Sequence, residues 1–256
     1  MTALPRPFVN LPLAHRGLHD INAGRPENSL AAIKAAIDAG YGVEIDIQCS
    51  ADKKAMVFHD YELSRLTSGT GPVHQRTASE LQKTCLLGSN ETIPTLTQVL
   101  ETVAGKAPIL IEIKDQDGAL GSNVGALEQA IADDVQNYEG DIAIMSFNPH
   151  SVAAMAKFAP DLPRGLVTGS FLSNNWRLLP DAILNTLRQI PDYDRTGSSF
   201  ISHRVDDLSN DRVSEIRATG APILCWTVKD KATEVKSRAH ADNITFEGYL
   251  PSLALP

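Results

Sequence analysis

The stretch "LAHRGLHDINAGRPENSLAAI" (13–33) contains a short apolar run, a polar loop and the beginning of an amphipathic helix. Ser29 precedes apolar residues at helical spacing, which predicts that it is the helix N-cap. The loop carries several charged or amide side chains, namely His15, Arg16, Glu27 and Asn28. Such groups cost free energy beside a core unless a partner or ligand satisfies them. The stretch therefore predicts a strand–loop–helix unit with a functional loop.

The same alternation of strand and helix continues along the chain. Eight short apolar runs lie at 11–17, 42–48, 108–114, 141–147, 164–168, 199–205, 222–228 and 242–248. Helical patterns follow several of them, one beginning at Thr95 and another at Ser209 or Asn210. Eight strand–helix units predict a single-domain (β/α)8 TIM barrel over residues 1–256. An open doubly wound sheet is the alternative, although no strand is followed by GxGxxG.

One segment, residues 49–93, is too long for a simple connection between a strand and a helix. Its first part, "CSADKKAMVFHD" (49–60), predicts a hairpin that turns at Asp52–Lys53 and returns His59 to about the level of Asp46. The rest is polar and rich in glycine. We therefore expect residues 61–92 to form a small insertion after the second strand, over the mouth of the barrel.

Composition excludes several classes of protein. The net charge of -8 over 256 residues argues against a nucleic-acid partner, which would require a basic surface. No apolar run approaches the ~18 residues of a membrane span, and the N-terminus has no apolar core of signal-peptide length. Cys49, Cys85 and Cys225 form no CxxC pair, which favours free thiols in a reducing compartment. We therefore expect a cytoplasmic protein with a small-molecule substrate. The sequence predicts no oligomeric state.

Charged residues on two of the strands mark the candidate site. Glu44 and Asp46 are two residues apart on one strand, and Glu112 and Lys114 are two residues apart on the next. A strand period of two places each pair on one face, so three carboxylates point into the barrel. Active sites of such barrels lie at the C-terminal ends of the strands.

The three carboxylates need compensation for burial. One interpretation is ion pairing with Arg16 and Lys114. The other is a hard divalent cation, Mg²⁺ or Ca²⁺, which prefers oxygen ligands. Zinc is disfavoured because no cysteine or HxH pattern accompanies these residues.

The remaining candidates suit phosphoryl chemistry. His15 and His59 are candidate acid/base residues, since histidine titrates near neutrality. Arg16 and Lys114 supply positive charge for a phosphoryl group. Glu27 and Asn28 cap the following helix, or orient His15 and Arg16 or touch the ligand, and these roles can coexist. Trp226 ends a strand, where it either walls the substrate pocket or fills the rim. His19 and Asp20 are expected to face solvent.

Taken together, these residues resemble the glycerophosphodiester phosphodiesterase family. The resemblance covers nearly the whole chain and depends on motifs that occur in the family's order. The motifs are "HRG" (15–17), "PEN" (26–28), "VEIDIQ" (43–48), "VFHD" (57–60), "LSRLT" (63–67), "IPTL" (93–96), "IEIK" (111–114), "SF" (146–147) and "CWTV" (225–228).

The resemblance implies a metal-dependent (β/α)8 enzyme that hydrolyses glycerophosphodiesters to sn-glycerol 3-phosphate and an alcohol. It also implies roles for individual residues. Glu44, Asp46 and Glu112 match the metal ligands, His15 and His59 the acid/base pair, Arg16 and Lys114 the phosphate-binding cations, and Glu27 the supporting carboxylate. The last strand departs from the family. It reads "NITFEGYLP" (243–251), with Phe246 where the family has an acid, so either Glu247 is the replacement or the end of the barrel differs.

Several points stay open at this stage. The nucleophile is water or the glycerol 2-hydroxyl, and either histidine could be the acid. A second enzyme class is an aldolase or isomerase acting on a phosphorylated metabolite, with Lys114 as a Schiff-base lysine. A third hypothesis is a barrel that binds such a metabolite without turnover.

Overall fold

In the computed structural model, which describes residues 2–172, 176 and 179–253, eight parallel strands close into a barrel. The strands of the sheet are β1 (Leu13–Ala14), β2 (Gly42–Cys49), β3 (Ala55–Val57), β4 (Ile109–Ile113), β5 (Ile142–Ser146), β6 (Arg164–Thr168), β7 (Phe200–Arg204), β8 (Ile223–Val228) and β9 (Asn243–Phe246). All except β3 pair in parallel, and β1 closes the ring because it pairs with both β2 and β9. The predicted (β/α)8 barrel is confirmed, and the open-sheet alternative is wrong.

Helices connect most of the barrel strands. They are α1 (Pro7–Asn10), α2 (Leu30–Asp38), α3 (Ala78–Leu81), α4 (Leu96–Val103), α5 (Ala126–Val135), α6 (Pro149–Phe158), α7 (Asp181–Arg188), α8 (Asp211–Ala218) and α9 (Lys231–Ser237). Ser29, Thr95 and Asn210 each accept a backbone N–H in the first turn of the helix that follows. The predicted helix starts are therefore confirmed, with Asn210 rather than Ser209 as the third cap.

The barrel strands alternate between two environments. Val43, Ile45 and Ile47 of β2 face outward and pack in the large core beneath the helices. The lower interior is filled by a separate apolar cluster that includes Leu110 and Phe200. Phe8 of α1 is fully buried in that cluster, so α1 packs into the N-terminal end of the barrel. The charged residues of the strands lie above this layer.

The hairpin and the insertion follow β2. Strand β3 runs antiparallel to β2, and Phe58 N–H donates to the carbonyl oxygen of Asp46 at 2.9 Å. This confirms the predicted hairpin, and His59 returns within one residue of the expected level. The inserted segment has an apolar cluster of its own, which contains Phe58, Leu63 and Leu81.

The loop between β1 and α2 is held tightly against the helix. Gly17 has a φ of +78°, and a Cβ there would lie 2.8 Å from the carbonyl carbon of Ala32, so only glycine fits. Arg16 and Asn28 also adopt positive φ angles, 57° and 60°, and Asn28 N–H donates to the Arg16 carbonyl at 2.8 Å. Non-glycine residues in this region are strained, which is typical of functional positions.

The structure also bears on the environment of the chain. Within the described residues, none of the helices has the length and apolar character needed to cross a membrane. Cys49, Cys85 and Cys225 are all free thiols.

Candidate active site

A cluster of three carboxylates lies inside the barrel, above its apolar layer. Glu44 and Asp46 project from β2 and Glu112 from β4, and the register of the two strands places Asp46 directly beside Glu112. One oxygen from each carboxylate lies within 4.8 Å of the other two. All three side chains are at least nine-tenths buried. In the described part of the chain, this is the one trio whose ligand atoms approach closely enough to hold a metal ion.

Two cations contact this cluster. Lys114 Nζ lies 2.7 Å from Asp46 Oδ1 and 2.5 Å from Glu112 Oε1. Arg16 Nε lies 3.3 Å from Asp46 Oδ2, and the backbone N–H of Arg16 donates to Glu44 Oε2 at 3.0 Å. The ion pairs of the first interpretation are therefore present.

The three carboxylates differ in the direction in which their pKa values are shifted. Burial raises the pKa of Asp46, but the positive charges of Lys114 and Arg16 outweigh it and hold that pKa well below its ordinary value. Burial together with the charges of Asp46 and Glu112 raises the pKa of Glu44 well above its ordinary value. Burial also raises the pKa of Glu112. The nearby cations therefore do not offset the charge of all three carboxylates.

One buried carboxylate oxygen of the cluster has neither a hydrogen-bond partner nor an ion-pair partner among the described residues. Glu44 Oε1 is buried and accepts no hydrogen bond from any described residue. An unpaired carboxylate oxygen in the interior is costly, and a hard cation would satisfy it. The donor set contains only carboxylate oxygens, which suits Mg²⁺ or Ca²⁺ better than softer metals. The residues present therefore fit a divalent metal ion.

His15 lies at the C-terminal end of β1 and is held by Glu247. His15 Nδ1 is 2.6 Å from Glu247 Oε2. Glu247 immediately follows β9, and its other oxygen lies 2.6 Å from Lys229 Nζ. The hydrogen bond from His15 and the nearby His19 imidazole hold the pKa of Glu247 far below its ordinary value, so the carboxylate is ionised. An ionised carboxylate only accepts, so Nδ1 of His15 carries the proton and Nε2 is left for the substrate.

The last strand shows how Glu247 takes this position. Phe246 is buried on the outer side of the barrel, where its ring packs edge-on against Tyr41 with centroids 4.8 Å apart. Because strand residues alternate, the next residue, Glu247, points inward. His19 Nε2 lies 3.7 Å from Glu247 Oε2. The expectation that His19 faces solvent is therefore wrong, whereas Asp20 remains half-exposed and caps a short turn.

His59 has a similar carboxylate partner. Its Nδ1 lies 2.6 Å from Asp60 Oδ1. Burial and the Lys114 charge lower the pKa of His59 to about 4, so its imidazole is neutral at pH 7. Burial also lowers the pKa of His15, against the opposing effect of Glu247. Hydrogen bonds from Arg65 and His59 overcome burial and lower the pKa of Asp60 to about 2.

Glu27 and Asn28 do not cap α2, because Ser29 does. Glu27 Oε1 accepts from Arg16 Nη1 at 2.7 Å, and both Glu27 oxygens accept from Arg65 of the inserted segment. Asn28 is buried, and its Nδ2 donates to Asp46 Oδ2 at 2.9 Å. Both residues therefore orient charged groups of the site.

Trp226 lies on the far side of the barrel interior from β2. Its Nε1–H donates to the Ser202 carbonyl at 3.0 Å, and its ring meets Phe147 edge-on at 5.5 Å. The guanidinium of Arg204 lies 6.0 Å from the ring centroid. Trp226 thus belongs to an aromatic wall, with its indole only half-buried.

Every candidate named from the sequence lies in this upper part of the barrel or at its rim. Two further residues contact them and were not assigned a role from the sequence, namely Asp60 and Arg65. Asp60 and Arg65 fall within the quoted motifs "VFHD" and "LSRLT". From the sequence, Glu247 is a candidate replacement for the missing acid of the last strand. Strand alternation along β9 supports it, because it places residues 243, 245 and 247 on the inner face.

Comparisons with known proteins agree with this geometry. Residues 15–245 match the sequence model of the glycerophosphoryl diester phosphodiesterase family. A glycerophosphodiester phosphodiesterase from Caldanaerobacter subterraneus is 32% identical over 177 residues, which cover 66% of this chain and 70% of that protein. Glycerophosphodiester phosphodiesterase 1 from Bos taurus is 28% identical over 270 residues, which cover 94% of this chain and 78% of that protein.

Solved structures share the fold. The structure of a phosphodiesterase from Oleispira antarctica, in complex with the product sn-glycerol-3-phosphate, superposes with a TM-score of 0.76. It is 23% identical to this chain, and the match covers 94% of each chain.

Proposed function

The chain belongs to the glycerophosphoryl diester phosphodiesterase family, and from that premise we propose how its residues hydrolyse a glycerophosphodiester to sn-glycerol 3-phosphate and an alcohol. The observation that carries this assignment is the buried trio of Glu44, Asp46 and Glu112 beneath two histidines at the mouth of the barrel. The Oleispira antarctica phosphodiesterase, whose structure is in complex with the product sn-glycerol-3-phosphate, supports a small phosphorylated ligand.

Glu44, Asp46 and Glu112 would hold the metal ion, which we propose to be Mg²⁺ or Ca²⁺. When bound, it would act as a Lewis acid toward a phosphate oxygen. Asn28 supports this set through its hydrogen bond to Asp46 Oδ2. The unpartnered Glu44 Oε1 is the atom with the greatest need for the cation.

Arg16 and Lys114 provide the fixed positive charge. The pKa of Lys114 is raised because Asp46 and Glu112 outweigh the effect of burial, so its ammonium group stays charged. Both cations already contact the carboxylate cluster, which places their charge where it can offset the charge that builds on the phosphoryl oxygens. Glu27 keeps the Arg16 guanidinium in place.

His15 and His59 act as the acid/base pair. Each is held at Nδ1 by a carboxylate, Glu247 or Asp60. Nε2 of each has no hydrogen-bond partner among the described residues and is available for proton transfer. One histidine, in its neutral form, accepts a proton from the nucleophile at Nε2. The other, in its doubly protonated imidazolium form, gives its Nε2 proton to the oxygen of the leaving alcohol. The bond between phosphorus and that oxygen breaks as the new one forms.

The alternative enzyme class, an aldolase or isomerase with a Schiff-base lysine, is not favoured. A Schiff base needs a neutral amine, which requires a lowered pKa. The two carboxylates around Lys114 raise its pKa instead. Binding without turnover is also disfavoured, because a complete acid/base pair serves no purpose in a binding protein.

The decisive experiment measures release of sn-glycerol 3-phosphate from glycerophosphocholine by the purified protein, with added Mg²⁺ or Ca²⁺ and with EDTA. We expect metal-dependent release that EDTA abolishes. His59→Ala and Glu44→Ala should each lower kcat/KM by about a hundredfold or more. Hydrolysis by either variant at the parental rate would show that the site is assigned wrongly.

A further inference from the structure

A cavity of about 480 Å³ lies beside the active site, between the inserted segment and the loop that follows β4. Its wall contains Gln48, which is two residues beyond Asp46 on β2, and Tyr61, which is two residues beyond His59. Two residues of strand span about 7 Å, so the cavity begins within a short reach of the carboxylate cluster. Gln48 also connects the two directly, because its Nε2 donates to the His59 carbonyl at 3.0 Å.

The cavity has the size and position expected for the alcohol that leaves. Pockets for small ligands commonly measure about 300–1,000 Å³. The phenol of Tyr61 is half-exposed. Partial burial and the charges of Asp115 and Glu112 raise its pKa to about 12, against the opposing charge of Lys114, so the phenol is neutral.

The charge of the wall is strongly negative. It contains four carboxylates, Glu62, Asp115, Asp117 and Glu128, against one lysine, Lys53, which gives a formal charge of -3. Asp115 and Asp117 are held by backbone N–H groups of the loop. Glu62 is exposed, and no described side chain pairs with it.

A second observation in this wall points to a cation. Glu128 is fully buried, and its Oε2 accepts from the Gly125 N–H at 2.6 Å. Its Oε1 has no hydrogen-bond partner among the described residues. A buried carboxylate left half-satisfied in a cavity wall produces a negative potential that a positive group in the cavity would relieve.

We propose that this cavity receives the leaving alcohol, and that its charge selects glycerophosphodiesters of positively charged amino alcohols over those of neutral alcohols. The inference rests on the proposed function, since it concerns the second half of the same substrate. The ammonium group of such an alcohol would lie over the face of Tyr61 and near the Glu62 carboxylate. Both an aromatic face and a carboxylate favour a cation.

The test compares kcat/KM for glycerophosphocholine and glycerophosphoethanolamine with that for glycerophosphoglycerol, whose leaving alcohol is neutral. We expect the wild-type ratio of cationic to neutral substrate to exceed one. Glu62→Gln should lower this ratio about threefold to tenfold, because one charge near the surface acts over several ångströms. Lys53→Gln, in the same wall, should raise it. Added salt should weaken both effects.

Glu101→Gln is the matched control, because Glu101 is exposed on another face of the barrel and should leave the ratio unchanged. Because both kcat/KM values come from the same preparation, their ratio is unaffected by any general loss of folded enzyme. A wild-type ratio at or below one, or a ratio that responds to neither cavity variant, would overturn the inference while the proposed function stands. Failure to hydrolyse any of the three diesters would instead overturn the proposed function.

Discussion

Each catalytic histidine is paired with a carboxylate that fixes its tautomer. Glu247 and Asp60 accept from Nδ1 of His15 and His59 at 2.6 Å in both cases. Both carboxylates have pKa values below their ordinary range, so they are ionised and can only accept hydrogen bonds. The proton of each neutral imidazole therefore lies on Nδ1, and Nε2 carries none. The two histidines are therefore held in the same way, although Asp60 is the residue next to His59 and Glu247 is 232 residues from His15.

Removal of Glu247 tests this device. Glu247→Ala should lower kcat about tenfold to a hundredfold with little change in KM, because His15 loses its orientation but the substrate keeps its other contacts. Glu247→Gln should lose less, since an amide oxygen can still accept from Nδ1. Steady-state kinetics on glycerophosphocholine measure both. Lys229→Ala is the control, because Lys229 contacts the other oxygen of Glu247 and is largely exposed. A parental kcat for Glu247→Ala would contradict the role.

At the scale of elements, Arg65 links the inserted segment to the barrel. Its guanidinium donates to Asp60, which immediately follows His59, and to both oxygens of Glu27, in the loop before α2. The same Glu27 holds Arg16. A single side chain thus connects the two loops that carry His59 and Arg16.

Arg65→Ala should therefore loosen the insertion and lower catalysis together. We expect kcat/KM to fall about tenfold or more, and limited proteolysis to cut residues 61–92 faster than in the wild type. Arg76→Ala is a matched control from the same segment, since Arg76 is exposed and its guanidinium donates only to a backbone carbonyl, that of Thr70, among described residues. Unchanged kinetics with unchanged proteolysis in Arg65→Ala would show that the link has no role.

The sequence predicted features that depend on residues close together along the chain, and not contacts between residues far apart along it. Strand periodicity is local, so it placed Glu44, Asp46 and Glu112 inside the barrel correctly. The partner of Arg65 could not be predicted in this way, because Glu27 is 38 residues distant and meets it only through the tertiary fold. The pairing of His15 with Glu247 spans 232 residues. It depends on which way β9 faces, and the expectation for that strand was taken from a family pattern that this chain does not follow.

At the scale of the whole molecule, the carboxylates that would bind the metal also lower the stability of the metal-free protein. Burial and the charges of Asp46 and Glu112 raise the pKa of Glu44, so ionised Glu44 opposes folding when no metal is bound. The raised pKa means that folded, metal-free protein binds a proton that the unfolded chain releases at the same pH. The contribution of Glu44 to stability is thus fully present below its ordinary pKa and is lost as pH rises through the raised value.

Glu44→Gln should accordingly abolish hydrolysis and stabilise the metal-free protein. The amide removes the buried charge, and its oxygen can still accept from Arg16 N–H. In EDTA at pH 8 we expect a gain of about 1–2 kcal/mol, or about 2–8 °C in Tm. The difference in Tm between variant and wild type should shrink as pH falls toward 5, and taking a difference cancels the other titrating groups. Added Mg²⁺ or Ca²⁺ should raise Tm of the wild type more than that of the variant. A Tm for Glu44→Gln at or below the wild-type value in EDTA at pH 8 would mean that the trio carries no electrostatic strain.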